Sequence, residues 1–219
     1  KVGLYTSPHI HSFRERFSIN GRLISQPEFS AGVTFLQPII SQLNIHFSTF
    51  EMATALALWW FRQQAVDIAV LEIGIGGRYD AVNTVSNCIG VITPIEREHA
   101  AMLGGTLTTI AQHKAGIIQA RGYVIAAPQQ SEVEAVLDEE AHAQQATLSY
   151  EPIDRLALAV CKSLMQRHVI QDYPLPARPP EVHLIGRMEH ISSHNKDLLI
   201  DGAHTLNSAR RLRAEIERR

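Results

Sequence analysis

At 219 residues, the chain has room for one large domain or two small ones with an ample core. Its apolar fraction is ordinary and its net charge is −2, so composition gives no basic surplus to argue for nucleic acid. No run approaches the ~18 apolar residues of a membrane span, and the stretch from Lys1 does not read as a charged-then-apolar leader. Cys88 and Cys161 both lie in apolar settings and read as buried thiols, not a bridge, which suits a reducing compartment. The expectation is a cytoplasmic protein with no membrane and no nucleic-acid partner.

Val2 to Thr6 reads as a strand, followed by Ser7-Pro8-His9; Pro8 disfavours helix for the residue before it, so Ser7 is expected to be extended at the strand end. Phe13 to Ile19 alternates apolar and polar residues and reads as extended, with a strong turn signal at Asn20-Gly21. Ser25-Gln26-Pro27-Glu28 has the pattern of a capping box, opening a helix to about Leu43 that Pro38 should kink or end early. Thr49 to Gln64 reads as a buried helix, with Trp59, Trp60 and Phe61 as core residues.

The stretch D-I-A-V-L-E-I-G-I-G-G-R-Y-D-A-V-N, Asp67 to Asn83, is the centre of the chain. Ile68 to Leu71 is a short apolar run of the kind buried on both faces of a parallel sheet. Glu72 ends it, where an open α/β sheet places its binding crevice. Gly74, Gly76 and Gly77 then permit sharp turns and close approach to a ligand. A carboxylate at a strand end above such a turn can hold a hard cation through oxygen.

Beyond it, Cys88 to Thr93 reads as a buried strand, Thr106 to Ala120 as a helix carrying Lys114, Gly122 to Ala127 as a strand and Ser131 to Gln145 as a solvated helix. The alternation argues for an α/β fold with a doubly wound, mostly parallel sheet. From Leu148 the pattern weakens, until Asp154 to Arg167 reads as a helix. Tyr173 to Pro180 carries four prolines in eight residues and reads as a linker. Leu198 to Ile200 is again a strand, with Asp201-Gly202-Ala203-His204 at its end and a helix capped by Thr205 or Asn207 after it. Both ends of the chain read as positions inside a longer one.

Four separated stretches together resemble the folylpolyglutamate synthase and dihydrofolate synthase branch of the Mur ligases. They are T-S-P-H at Thr6 with E-R-F-S-I-N-G from Glu15; the central L-E-I-G-I-G-G-R-Y-D-A-V-N; E-H-A-A-M-L-G-G-T-L from Glu98 with I-A-Q-H-K-A-G-I from Ile110; and G-R-M-E at Gly186 with L-I-D-G-A-H at Leu199. The resemblance implies an ATP-dependent ligase that joins L-glutamate to a folate or dihydropteroate carboxyl through an acyl phosphate, with ATP and Mg2+ as cofactors. It implies small-molecule substrates and a monomer. By resemblance Ser7, Glu72 and His99 match the magnesium site. Lys114 matches a lysine the family carries as a carbamate, and Arg187 matches an arginine on the ATP phosphates. Asp201 and His204 match the motif where nucleotide and glutamate meet, with His204 and Lys114 in catalytic roles. Arg78, Asp80 and Asn83, beside Glu72, are expected to line the substrate pocket.

The resemblance also has gaps. No G-x-x-x-x-G-K-[ST] occurs in the sequence, so the family's phosphate-binding loop has no counterpart in these residues. The family's H-Q-x-x-N-A motif has none either, and Glu98 and Thr205 replace its usual Asp and Asn. Residues 1–172 are therefore expected to form a central ATPase-type domain without its phosphate loop. Residues 173–197 would be the approach to a second lobe, and 198–219 the start of a C-terminal ligase domain, incomplete here. Two readings stay open: a ligase inactive as these residues alone, or a non-catalytic product that binds only a pterin or a metal. A structural domain that reuses the fold is a third.

Overall fold

Two short parallel strands set the geometry of the first half. In the computed structural model, which describes every residue except 99, 181, 183, 194, 195, 204, 218 and 219, β1 (Val2–Tyr5) lies between two partners. It runs antiparallel to β2 (Phe17–Ile19) and parallel to β4 (Ile68–Leu71), and β3 (Arg22–Leu23) extends the other side of β2. The β2–β3 turn is Asn20-Gly21, with φ of 49° and 78°, the left-handed pair that a two-residue hairpin needs. The stretch expected to be extended from Phe13 is not so throughout. Phe13–Arg16 forms a turn of 3-10 helix, because Ser12 and Glu15 close a capping box around it.

Two helices cover one face of this sheet. α1 (Gln26–Gln42) and α2 (Thr49–Gln63) each open on an S-x-x-E box, Ser25 with Glu28 and Ser48 with Glu51. α1 continues through Pro38, contrary to expectation. Pro38 and Thr34 both lie on the exposed side, where solvent can serve the carbonyl that the ring leaves unbonded. The helices meet where Gly32 leaves room for Leu56 and Trp59. Tyr5, Phe17, Ile24 and Trp60 are fully buried between helices and sheet, each worth about 1.5–3 kcal/mol of transfer free energy. Phe61 joins them, but Trp59 is only half-buried, stacked on Phe35 at the surface.

The opposite face is open. β4 was expected to be buried on both sides, yet Val70 is 52% exposed, and its register partner Leu4 is exposed beside it. Among the described residues no helix packs over that face.

The second sheet is covered on both faces. β5 (Ile89–Ile92), β6 (Tyr123–Ala126) and β7 (Thr147–Tyr150) are parallel and in that order. α3 (Leu107–Ala115) and α4 (Ser131–Ala143) share a core with Val124 and Ala126, while α5 (Leu156–Gln166) packs with Ile125. Alternate residues of β6 thus serve opposite layers, the signature of double winding. β7 lies where the sequence pattern weakens. It is an edge strand with Thr147, Ser149 and Tyr150 exposed, so it lacks a continuous apolar run. Neither cysteine is bridged, and Cys88 is exposed at the entry to β5 instead of buried.

The chain divides into two compact units at Leu175 and Pro176, inside the proline-rich stretch. The second unit contains a hairpin of β8 (Glu189–Ser193) with β9 (Lys196–Ile200), then α6 (Leu206–Glu217). β8 precedes the strand expected to come first at Leu198. No helix of the described residues is long and apolar enough to cross a membrane.

Candidate active site at the end of the parallel strands

The β1–β4 register pairs Tyr5 with Leu71, so Ser7 and Glu72 leave the sheet on the same rim. Glu72 N donates to Tyr5 O at 2.9 Å, extending the ladder by one rung. Ser7 N donates to Glu72 Oε2 at 2.6 Å, a short charge-assisted bond. The Ser7-Pro8 peptide is cis. This bond leaves Glu72 Oε1 and the Ser7 hydroxyl with no protein partner among the described residues. Two free hard oxygens on one rim are a donor set that fits Mg2+. His99, the third residue expected there, lies outside the described residues. Among those described, no group of three or more His, Cys, Asp or Glu side chains is placed to hold a metal ion.

Behind the rim, one carboxylate shapes the glycine-rich turn. Asp80 Oδ2 accepts from Gly74 N at 3.0 Å and Ile75 N at 3.1 Å, and Oδ1 accepts from Val82 N at 2.9 Å. The last of these caps a short 3-10 helix, Ala81–Thr84. Arg78 turns outward to α4, where its guanidinium meets Glu140 at 2.6 Å. Asn83 Nδ2 donates to Gly116 O at 2.9 Å and to Arg78 O at 3.3 Å. The three residues expected to line the pocket therefore each have polar atoms engaged with the protein itself.

Lys114 lies in the last turn of α3, half-buried, and its amine has no partner among the described residues. Its backbone lies against the glycine turn: a Cβ added to Gly77 would stand 2.8 Å from His113 O and 3.0 Å from Lys114 O. Only glycine lets the two segments approach so closely.

In the second unit, Asp201 ties two loops together. Its Oδ2 accepts from Met188 N at 2.9 Å and its Oδ1 from Ala203 N at 2.8 Å. The Arg187 guanidinium lies over Gly202, where an added Cβ would come within 2.5 Å of Nη1. Glu189 Oε2 accepts from Gly186 N at 2.7 Å, closing the turn that carries Arg187. His204 lies outside the described residues. Thr205 Oγ1 accepts from Ser208 N at 3.1 Å, which makes Thr205 the cap of α6.

Glu15 was not singled out from sequence, yet its carboxylate gathers the N–H groups of Ile10, His11 and Ser12 and braces the loop after Ser7. Those bonds, that from Ile10 foremost, lower its pKa. The S-x-x-E spacing of Ser12 and Glu15 was the signal that could have revealed it.

No family model matches the chain. Among curated proteins, the folylpolyglutamate synthase of Lacticaseibacillus casei is 42% identical over 123 residues, 54% of this chain and 29% of that protein. The dihydrofolate synthase/folylpolyglutamate synthase of Bacillus subtilis is 39% identical over 145 residues, 64% of this chain and 34% of that one. An FPGS–AMPPCP–folate complex superposes with a TM-score of 0.88 at 26% identity, covering 99% of this chain and 64% of the other. This chain is similar to folylpolyglutamate synthases. A Mycobacterium tuberculosis folylpolyglutamate synthase complexed with ADP and AMPPCP gives a TM-score of 0.79 at 28% identity, over 99% of this chain and 60% of that one. The chain thus matches only about a third of the length of these curated proteins, while its α/β fold is that of the solved structures along almost its whole extent.

Proposed function

We propose that the chain carries part of the active site of an ATP-dependent ligase that adds L-glutamate to a folate or dihydropteroate carboxyl. The observation that supports this most is the Ser7–Glu72 pair: two uncommitted oxygens on one strand-end rim, in a fold shared with an AMPPCP- and folate-bound FPGS. In this reading ATP phosphorylates the substrate carboxyl, and the amine of glutamate displaces phosphate from the acyl phosphate. Mg2+, when bound, would offset negative charge on the transferred phosphoryl group.

Ser7 and Glu72 would hold the ion with His99, and the Ser7 backbone N–H keeps the Glu72 carboxylate aimed along the rim. Lys114, as a carbamate, would offer a carboxylate-like group from the end of α3. Arg187 would take the ATP phosphates through its planar fork. Asp201 holds the turn that presents Arg187 and the run leading to His204, which would act where nucleotide and glutamate meet. Most of this work is the placing of anions around cations.

In a second reading these residues bind a pterin or a metal without turnover. ADP release separates the two. It is measured with ATP, Mg2+, glutamate and either dihydropteroate or tetrahydrofolate, on this chain and on one extended upstream to include any phosphate loop. The ligase reading expects ADP release by the extended chain that needs both glutamate and pterin substrate, and little or none from the 219 residues. Absence of turnover in both, with pterin or metal binding retained, would support the second reading.

A further inference from the structure

We propose that Asn83 is a positioning residue: its side-chain amide latches the turn after Glu72 onto the C-terminal turn of α3, fixing Glu72 relative to Lys114. The roles of Glu72 and Lys114 rest on the function proposed above, whereas the latch rests on geometry alone.

A side-chain amide has two N–H donors, and Asn83 has a carbonyl for each: Gly116 O at 2.9 Å and Arg78 O at 3.3 Å. Gly116 is the C-cap of α3, and carbonyls at a helix end have no partner within the helix. The turn after Glu72 therefore supplies what the helix lacks. A second bond runs between the same two segments, because Arg78 N donates to His113 O at 2.8 Å, beside the cap bond that Gly116 N gives the same carbonyl at 3.3 Å. Contact is close on both sides: a Cβ on Gly116 would stand 2.5 Å from Arg78 Cα, and one on Gly77 would stand 2.8 Å from His113 O.

The latch also joins two separate cores. Val82, beside Asn83, is buried with the first sheet and α2, while Ala115, beside Gly116, is buried with the second sheet and α4. Glu72 leaves the first sheet and Lys114 belongs to the helix on the second. Asn83 sits at the crossing between them. With both N–H groups committed, its amide nitrogen has none left for a substrate.

The test uses the chain extended upstream as described above, with Asn83→Asp, Asn83→Ser and Asn83→Ala. Asp keeps the shape but turns oxygens toward two carbonyls, whereas Ser retains one donor. Amide hydrogen exchange is followed over residues 74–83 and 113–118, and kcat and the KM for glutamate are measured beside it. In Asn83→Asp both segments should exchange faster together while α5 keeps its rates. In the same variant kcat should fall by about 10–100-fold with KM for glutamate little changed, the pattern of lost alignment. Asn83→Ser should fall between wild type and Asn83→Ala. If Asn83→Asp does not fold, the Ser variant carries the same comparison. Leu158→Ala, in a buried position on α5, is the control for instability, expected to lower Tm without a comparable fall in kcat.

Faster exchange in the turn alone, a kcat at the wild-type value, or an equal kcat loss in Leu158→Ala would each overturn the proposal. Unchanged turnover in Lys114→Ala and Glu72→Gln would instead sink the functional reading, and the exchange data would still decide the latch.

Discussion

Glu28 shows how much one side chain can organise. Its carboxylate accepts from Arg22 through both terminal nitrogens, at 3.0 and 3.1 Å, from Ser25 N at 2.8 Å, and from Trp60 Nε1 and Gln64 Nε2 at 3.2 Å each. It thereby joins the start of α1 to β3 and to the buried end of α2. Arg22 first, and then Ser25, bring its pKa from 4.5 down to about 2. A carboxylate with a folded pKa below its unfolded one stabilises the fold above the unfolded value and loses that effect as pH falls through the folded one. The Glu28 contribution is thus full at neutral pH and fades between pH 4.5 and about 2. Glu28→Gln should cost about 1–3 kcal/mol at pH 7. The gap to wild type should narrow steadily as pH approaches 2. Urea unfolding of both proteins across that range checks it, and a gap independent of pH would contradict it.

At the scale of elements, the S-x-x-E spacing at Ser25 was plain in the sequence because the capping box is local chemistry. β5 and β6 were legible because their apolar runs meet helices on both faces. β7 was not, since an exposed edge strand needs no such run. β4 misled in the opposite way, being apolar throughout yet covered on one face. The rim followed from strand ends, but the Ser7–Glu72 bond depends on the β1–β4 register across 65 residues. The contact of Asn83 with Gly116, 33 residues away, is invisible to periodicity because an amide meeting a backbone carbonyl leaves no pattern.

Two glycines test how tightly these elements fit. Gly116→Ala would drive Cβ to 2.3 Å from Arg78 Cβ and 2.5 Å from its Cα, so α3 and the glycine turn must part. We expect a loss of about 1–3 kcal/mol or more, seen as a lower Tm. Gly32→Ala sets a helix-propensity gain of about 1 kcal/mol against a Cβ only 2.2 Å from Leu56 Cδ1 and 2.8 Å from the Trp59 ring. Leu56 is buried and the indole is rigid, so the clash should win and Tm should fall. A rise in Tm would show that the α1–α2 contact is looser than this packing.

At the scale of the molecule, the buried hydrophobic residues among those described all lie at or before Leu158, within the first unit. Among the described residues of the second unit, Leu198, Ile200 and Ile216 stay exposed. The boundary falls at Leu175 and Pro176, in a stretch too proline-rich for regular structure. A protease of broad specificity should therefore cut first between residues 171 and 182 and leave the first unit whole, as mass spectrometry of the early fragments would show. Early cuts inside β5 or β6 would contradict the division.

In the proposed ligase, the chemistry takes place on the rim formed by Ser7 and Glu72. Turnover of Glu72→Gln tests this, measured as ADP release by the upstream-extended chain with Mg2+, glutamate and a pterin carboxylate, alongside a circular dichroism spectrum. Gln keeps the acceptor for Ser7 N but removes the charge, so the fold should persist while turnover falls on the order of 100-fold. Turnover equal to wild type would place the reaction elsewhere.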